Sequence, residues 1–233
     1  MKHWVLLHGI NNVSRVWQPI VSGLPSGVQA HCPELDGLEN IETIAETLIA
    51  DLPDRFVLIG HSFGGYVALS LLEKIPANIE AIVLINSNCT ADSDPIRKLR
   101  LEMAQKARQG EYATLARNAS QKTFHPSSLK NQTLMAQRES DIVNYGADKY
   151  AAHQIACSTR PDRTRTFATF TGKKLVVIGA EDQVISPESQ QQMAAAVGAE
   201  VVTIDGTGHM LPAEAPDKVR QSIENWLNQT PAS

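Results

Sequence analysis

Apolar residues along this chain fall into two kinds of pattern. Short, nearly unbroken apolar and β-branched runs recur at 3–7, 28–32, 55–59, 81–85, 174–178 and 200–204, as in FVLIG, AIVLIN and LVVIG. Such a run, bounded by turn residues, predicts a strand covered on both faces. Between the runs lie longer helical patterns at 13–24, 41–51, 64–74, 187–197 and 213–228. Alternation of this sort predicts right-handed crossovers and an α/β fold on a mostly parallel sheet of about six strands. The rhythm lapses over 90–171, where no strand pattern occurs. PIRKLRLEMAQKARQGEYATLARNA and SSLKNQTLMAQRESDIVNYGADKYAAHQIACS read instead as helices, the first opened by Pro95 at a favourable first-turn position. The expected organisation is a core from 1–89 and 172–233, with 90–171 a helical insertion lying as a lid over one end of the sheet.

Composition narrows the picture without changing it. At 233 residues, 42% hydrophobic and 20% charged, the chain is the size and make-up of one globular domain with an insertion. Its net charge of −4 argues against nucleic acid as a partner. Cys32, Cys89 and Cys157 are scattered and odd in number, which suits a reducing compartment and offers no metal site. No run approaches the roughly 18–20 apolar residues of a membrane span, and the opening run at 4–7 is too short for a signal sequence. A cytoplasmic location, with no membrane contact, is expected. Gly206-Thr-Gly-His lacks the third glycine of a dinucleotide fingerprint, and no Walker-type G-x-x-x-x-G-K occurs, so no cofactor is expected.

The chemistry sits where the third run meets its helix. Gly60-His61-Ser62-Phe63-Gly64 fits G-x-S-x-G at a strand-to-helix turn, with the glycines read as steric clearance for a strained serine. A serine hydroxyl needs a base to take its proton and a third group to orient that base. Seven histidines compete for the first task. His209 stands out, on a loop loosened by Gly206 and Gly208 between the last strand and last helix. His61 should point away from Ser62, and His125 and His153 read as polar residues of the insertion. For the acid, Asp182 just beyond the fifth strand is preferred, with Glu181 as the fallback. Ser62, Asp182 and His209 each follow the C-terminal end of a different expected strand, the edge where sites assemble in open α/β sheets. Backbone N–H groups of Phe63 and Ile10 are the expected oxyanion donors. Trp17, Phe124, Met135, Val184 and Met210 are candidates to line the substrate pocket.

WVLLHGINNVSRVW, GHSFGGYVAL, VIGAEDQVISPE and GTGHMLPAEAPDKV together resemble the α/β-hydrolase superfamily, and most closely its small carboxylesterases. The resemblance covers the core on both sides of the insertion. It implies Ser62 as nucleophile, Asp182 as acid, His209 as base, and Ile10 with Phe63 as oxyanion donors. It also implies cleavage of a small acyl ester through an acyl-enzyme. Because the first run already bears His8-Gly9, the two antiparallel strands that usually open this fold are not expected here, and the loop after Cys32 is short. Thioester hydrolysis, C–C bond hydrolysis and triad-bearing lyase chemistry stay open, as does a receptor or signalling role on the same scaffold. Between Arg97 and Arg138 nine basic residues face two acidic ones, a solvated face or a docking surface for an acidic carrier protein or anionic substrate.

Overall fold

Each of the six apolar runs forms a strand in the computed structural model, which describes residues 1–229. They are β1 (Lys2–Leu7), β2 (Val28–His31), β3 (Phe56–His61), β4 (Ile79–Ile85), β5 (Lys173–Gly179) and β6 (Glu200–Ile204). All pairings are parallel, in the order β2-β1-β3-β4-β5-β6. Register pairs Leu7 with Gly60, His61 with Ile85, and Gly179 with Ile204, so the strands end along one common edge. The expected core range runs to 233, and its last four residues lie outside the described residues.

Helices follow in chain order. A 3₁₀ turn at Ser14–Trp17 leads into α1 (Gln18–Val21), then α2 (Ile41–Ile49) and α3 (Phe63–Lys74). Between β4 and β5 come α4 (Asp94–Lys106), α5 (Tyr112–Thr123), α6 (Gln132–Tyr145), α7 (Ala147–Thr159) and α8 (Thr164–Thr169). The chain closes with α9 (Pro187–Val197), α10 (Leu211–Glu214) and α11 (Pro216–Asn228). Two expected helices are divided. Gly110, at φ 94°, breaks the pattern between α4 and α5, and Pro216, which has no N–H to donate, separates α10 from α11. The helix expected over 13–24 shrinks to the 3₁₀ turn and a single turn of α-helix.

Alternate residues of the four central strands, β1, β3, β4 and β5, enter two apolar layers. Val5, Leu58, Leu84 and Val176 pack against α2, α3 and α9. Trp4, Val57, Val83 and Val177 pack on the other side with Trp17, Val219, Ile223 and Trp226. A third, smaller cluster ties the insertion together through Ala107, Tyr112, Ile142 and Tyr150. The last helix of the insertion behaves differently, because α8 packs on α3 and α9 and its Phe167 joins the first layer. Its apolar face completes the core that α3 and α9 leave open.

The glycines of the Ser62 turn clear backbone and side chain on three sides. A Cβ on Gly64 would lie 2.1 Å from the Leu7 carbonyl oxygen, and one on Gly60 would lie 2.5 Å from the Gly64 carbonyl oxygen. One on Gly65 would lie 2.3 Å from Ser87 Oγ. Gly64 and Gly65 let the first turn of α3 drop onto β1 and the segment just past β4, and Gly60 lets that turn fold back on the end of β3, the clearance that a sharp turn at Ser62 requires.

Candidate active site

Ser62 joins β3 to α3 at φ 52°, ψ −116°, a region L-residues avoid. The strain is held by the end of β4: Ser62 N–H donates to Ile85 O at 2.9 Å, and Ser87 Oγ donates to Ser62 O at 2.8 Å. That backbone turns the Ser62 hydroxyl toward His209, 2.9 Å from Nε2. His209 Nδ1 stands 2.9 Å from Asp182 Oδ2. Since an ionised carboxylate only accepts, Nδ1 carries the proton, and Nε2 accepts from the Ser62 hydroxyl.

Asp182 is fixed on every side. Its Oδ1 accepts from the N–H groups of Val184 (2.8 Å) and Ile185 (3.1 Å), and its Oδ2 also accepts from Gln190 Nε2 at 3.1 Å. Burial would raise this carboxyl, but the charge and hydrogen bond of His209 and the two N–H groups outweigh it and hold it below its usual value. Glu181, the fallback, is used elsewhere: its Oε2 accepts from Thr207 N–H at 2.9 Å and braces the turn before His209.

The loop bearing His209 is held by Asn86 and Glu214, which the sequence did not single out, and by His61. Asn86, fully buried at φ 43° just past β4, donates from Nδ2 to Gly208 O (3.0 Å) and His209 O (2.9 Å) and accepts from Gly179 N–H at 2.8 Å. His61 Nε2 also donates to His209 O, at 2.8 Å, so the eye-catching histidine beside Ser62 holds the base's backbone. Glu214 accepts from Gly208 N–H at 3.0 Å and from His125 N–H at 2.8 Å, linking that loop to the insertion. A polar residue at the C-terminal end of a buried strand was the available signal for Asn86. Nothing local marks Gln190 or Glu214.

His153, a polar residue of the insertion, is wholly buried. It stacks on Phe63, ring centroids 4.2 Å apart, while Nε2 donates to Asp36 O at 2.6 Å and Nδ1 accepts from Tyr145. Burial pushes both His61 and His153 down to about 3, against an ordinary value near 6.5. Both are therefore neutral in the folded protein where the unfolded chain would protonate them. Each depressed histidine contributes stability that is complete above about pH 6.5 and is lost as pH falls toward 3. Two extra protons on the unfolded state give a slope of about 2.7 kcal/mol per pH unit around pH 5. Urea midpoints are expected to drop steeply between pH 6.5 and 4.5, and His153→Gln to make the fall shallower. An unchanged slope would contradict this origin.

Ser62, Ile10, Phe63, His209, Val184 and Met210 line one cavity of about 390 Å³. Phe63 opens α3, where first-turn N–H groups lack helical partners, and neither its N–H nor that of Ile10 donates to another described residue. Phe124 lines instead a neighbouring cavity of about 310 Å³, which shares Asn12, Arg138 and Met210 with the first. Trp17 and Met135 line neither described cavity. Trp17 is wholly buried beneath the sheet, and Met135 packs on that same layer, both drawn there by apolar burial. Four of the nine basic residues between Arg97 and Arg138 are paired: Arg97 with Asp94, Arg100 with Asp92, Arg108 with Glu39 and Arg117 with Glu139. No helix among the described residues is long and apolar enough to cross a membrane.

A family model described as "Alpha/beta hydrolase family" matches residues 4–222. A pimeloyl-[acyl-carrier protein] methyl ester esterase of Aromatoleum aromaticum is 34% identical over 91 residues, 36% of this chain and 36% of that protein. Its counterpart in Legionella pneumophila (strain Corby) is 34% identical over 95 residues, 39% of this chain and 40% of that protein. The chain thus matches well under half the length of either relative. Among solved structures, a thermophilic esterase of Thermogutta terrifontis superposes with a TM-score of 0.92 at 24% identity, over 97% of this chain and 89% of that one. The enol-lactonase of Burkholderia xenovorans LB400 superposes at 0.85 with 20% identity, over 98% and 92%. At these identities the two structures speak to fold.

Proposed function

The chain belongs to the α/β-hydrolase family, and we propose that it hydrolyses a carboxylic ester through an acyl-enzyme on Ser62. The observation that carries this reading is the unbroken relay from Ser62 Oγ through His209 to Asp182, with 2.9 Å at both links. In the proposed cycle Ser62 Oγ attacks the ester carbonyl as His209 Nε2 takes its proton. Asp182 keeps the Nδ1–H tautomer and stabilises the imidazolium. The N–H groups of Ile10 and Phe63 receive the developing oxyanion. His209 returns the proton to the leaving alcohol, then takes one from water, whose oxygen attacks the acyl carbon. Collapse releases the acid and restores Ser62. The 90–171 insertion acts as the lid, since Arg100, Arg138 and Tyr150 from it line the same cavity. An acidic carrier would meet Lys98, Lys106, Lys122 and Lys130, the insertion's lysines outside described ion pairs between 97 and 138.

A panel of p-nitrophenyl esters of graded acyl length tests the reading. Stopped-flow is expected to show a burst of one p-nitrophenolate per enzyme, and a fluorophosphonate probe to add its mass to the peptide containing Ser62. No turnover on any chain length by folded protein, or label on another residue, would overturn it. Falling kcat/KM with added salt for a carrier-linked ester alone would mark carrier docking.

A further inference from the structure

Three guanidinium groups line the Ser62 cavity: Arg100 from α4, Arg138 from α6 and Arg160 just after α7. Among the described lining residues they face one carboxylate, Asp92. Asp92 bridges Arg100 (2.5 Å) and Arg160 (2.7 Å). Arg160 is then fully occupied, donating also to Thr90 O and Cys157 O and lying 4.0 Å over the Tyr66 ring. It braces the lid.

Arg138 differs. It is 5% exposed, and no described carboxylate lies within 4.0 Å of it. Asp141, one turn further along α6, pairs instead with Arg15 at 2.6 Å. Arg138 Nε donates to Ser120 Oγ at 3.2 Å and Nη1 to Asn11 O, which leaves Nη2 without a described partner. Arg100 likewise uses Nε on Asp92 and Nη1 on Gln154 Oε1, leaving its Nη2 without one. Burial opposes the Arg138 charge and lowers its guanidinium below the ordinary arginine value. A buried guanidinium is costly unless something anionic meets it, and its planar fork matches a carboxylate. The Asn11 contact also sets this fork beside Ile10, on the loop that faces Ser62.

We propose that the cavity selects esters carrying a second, free carboxylate, held by Arg138 and Arg100 while the ester carbonyl meets Ser62. The proposal rests on the ester-hydrolase reading and gives it a substrate class: half-esters of dicarboxylic acids. The lining supports it by its excess of two cations, and by two open Nη2 groups on separate helices.

The test compares kcat/KM for monomethyl succinate, glutarate and adipate with methyl esters of fatty acids of equal carbon number, followed by pH-stat. A preference for the half-esters of about 10- to 100-fold is expected, the range of a charge-assisted hydrogen bond or two. Arg138→Met should bring that ratio toward one, chiefly through KM. Because this variant removes contacts to Asn11 and Ser120 and could misfold, calorimetry on Ser62→Ala supplies a second measurement. Adipate is expected to bind at least tenfold more tightly than uncharged adipamide, and Ser62→Ala/Arg100→Met to lose that difference. Equal turnover of both ester series, with adipate binding no better than adipamide, would overturn the proposal and leave the ester reading standing. Adipate binding without turnover of any ester would support the anion site and remove the ester reading.

Discussion

Ser62→Ala is expected to lower kcat/KM on a reactive p-nitrophenyl ester by about 10⁴- to 10⁶-fold, with the fold intact. The size follows from the relay. Without Oγ, the proton acceptor His209 Nε2 has nothing to activate, and the carbonyl meets no nucleophile held 2.9 Å from its base. Residual rate would come from the oxyanion donors acting on water, and these are backbone groups that the substitution leaves in place. For the same reason the losses should not multiply. His209→Ala alone should cost about as much, and the double variant little more than either, because each removes the same unit. The backbone that strains Ser62 is anchored through its N–H to Ile85 and through its carbonyl to Ser87, and neither bond uses the side chain. Thermal denaturation within a few degrees of wild type is therefore expected. Retained turnover in folded Ser62→Ala would remove the mechanism.

What the sequence disclosed and what it hid divide along a physical line. Strands covered on both faces must be apolar at successive positions, so FVLIG and LVVIG announced β3 and β5 to within one or two residues. That Ser62, Asp182 and His209 would lie together was legible because a parallel sheet sends every strand's C-terminal end to one edge, so chain position served as spatial position. Asn86 stood at the same edge, yet its task is to hold two carbonyls, Gly208 and His209, more than 120 residues away, and such backbone partners leave no mark in a local pattern. His61 was set aside as a catalyst, and it does face the base's carbonyl rather than Ser62; its positioning contact depends on where the His209 loop folds back. The pocket candidates fared least well. Trp17 and Met135 are apolar like real pocket walls, and only three-dimensional packing decides whether an apolar side chain faces a cavity or the sheet.

Gly64→Ala should abolish folding or destabilise the protein by about 4–5 kcal/mol or more, at the extreme of what one methyl group does. The added Cβ would sit 2.1 Å from the Leu7 carbonyl oxygen, 2.5 Å from its carbon and 2.8 Å from the His8 carbonyl oxygen. All three obstacles are backbone atoms of β1 and its exit loop, so no rotamer change relieves them. Leu7 is paired in register with Gly60 across the sheet, and α3 is buried along nearly its whole length from Phe63 to Leu72. The helix could yield only by lifting about 1 Å off the strand, which would open the first apolar layer along its length. The same lift would separate Phe63 from Ile10, the two proposed oxyanion donors, so any folded fraction should turn over substrate slowly even with Ser62, His209 and Asp182 present. Gly27→Ala is the control, because a Cβ there meets nothing within 4 Å. It should match wild type in urea midpoint and in burst amplitude. A Gly64→Ala protein as stable and active as Gly27→Ala would mean that α3 does not rest on β1 as closely as this geometry requires.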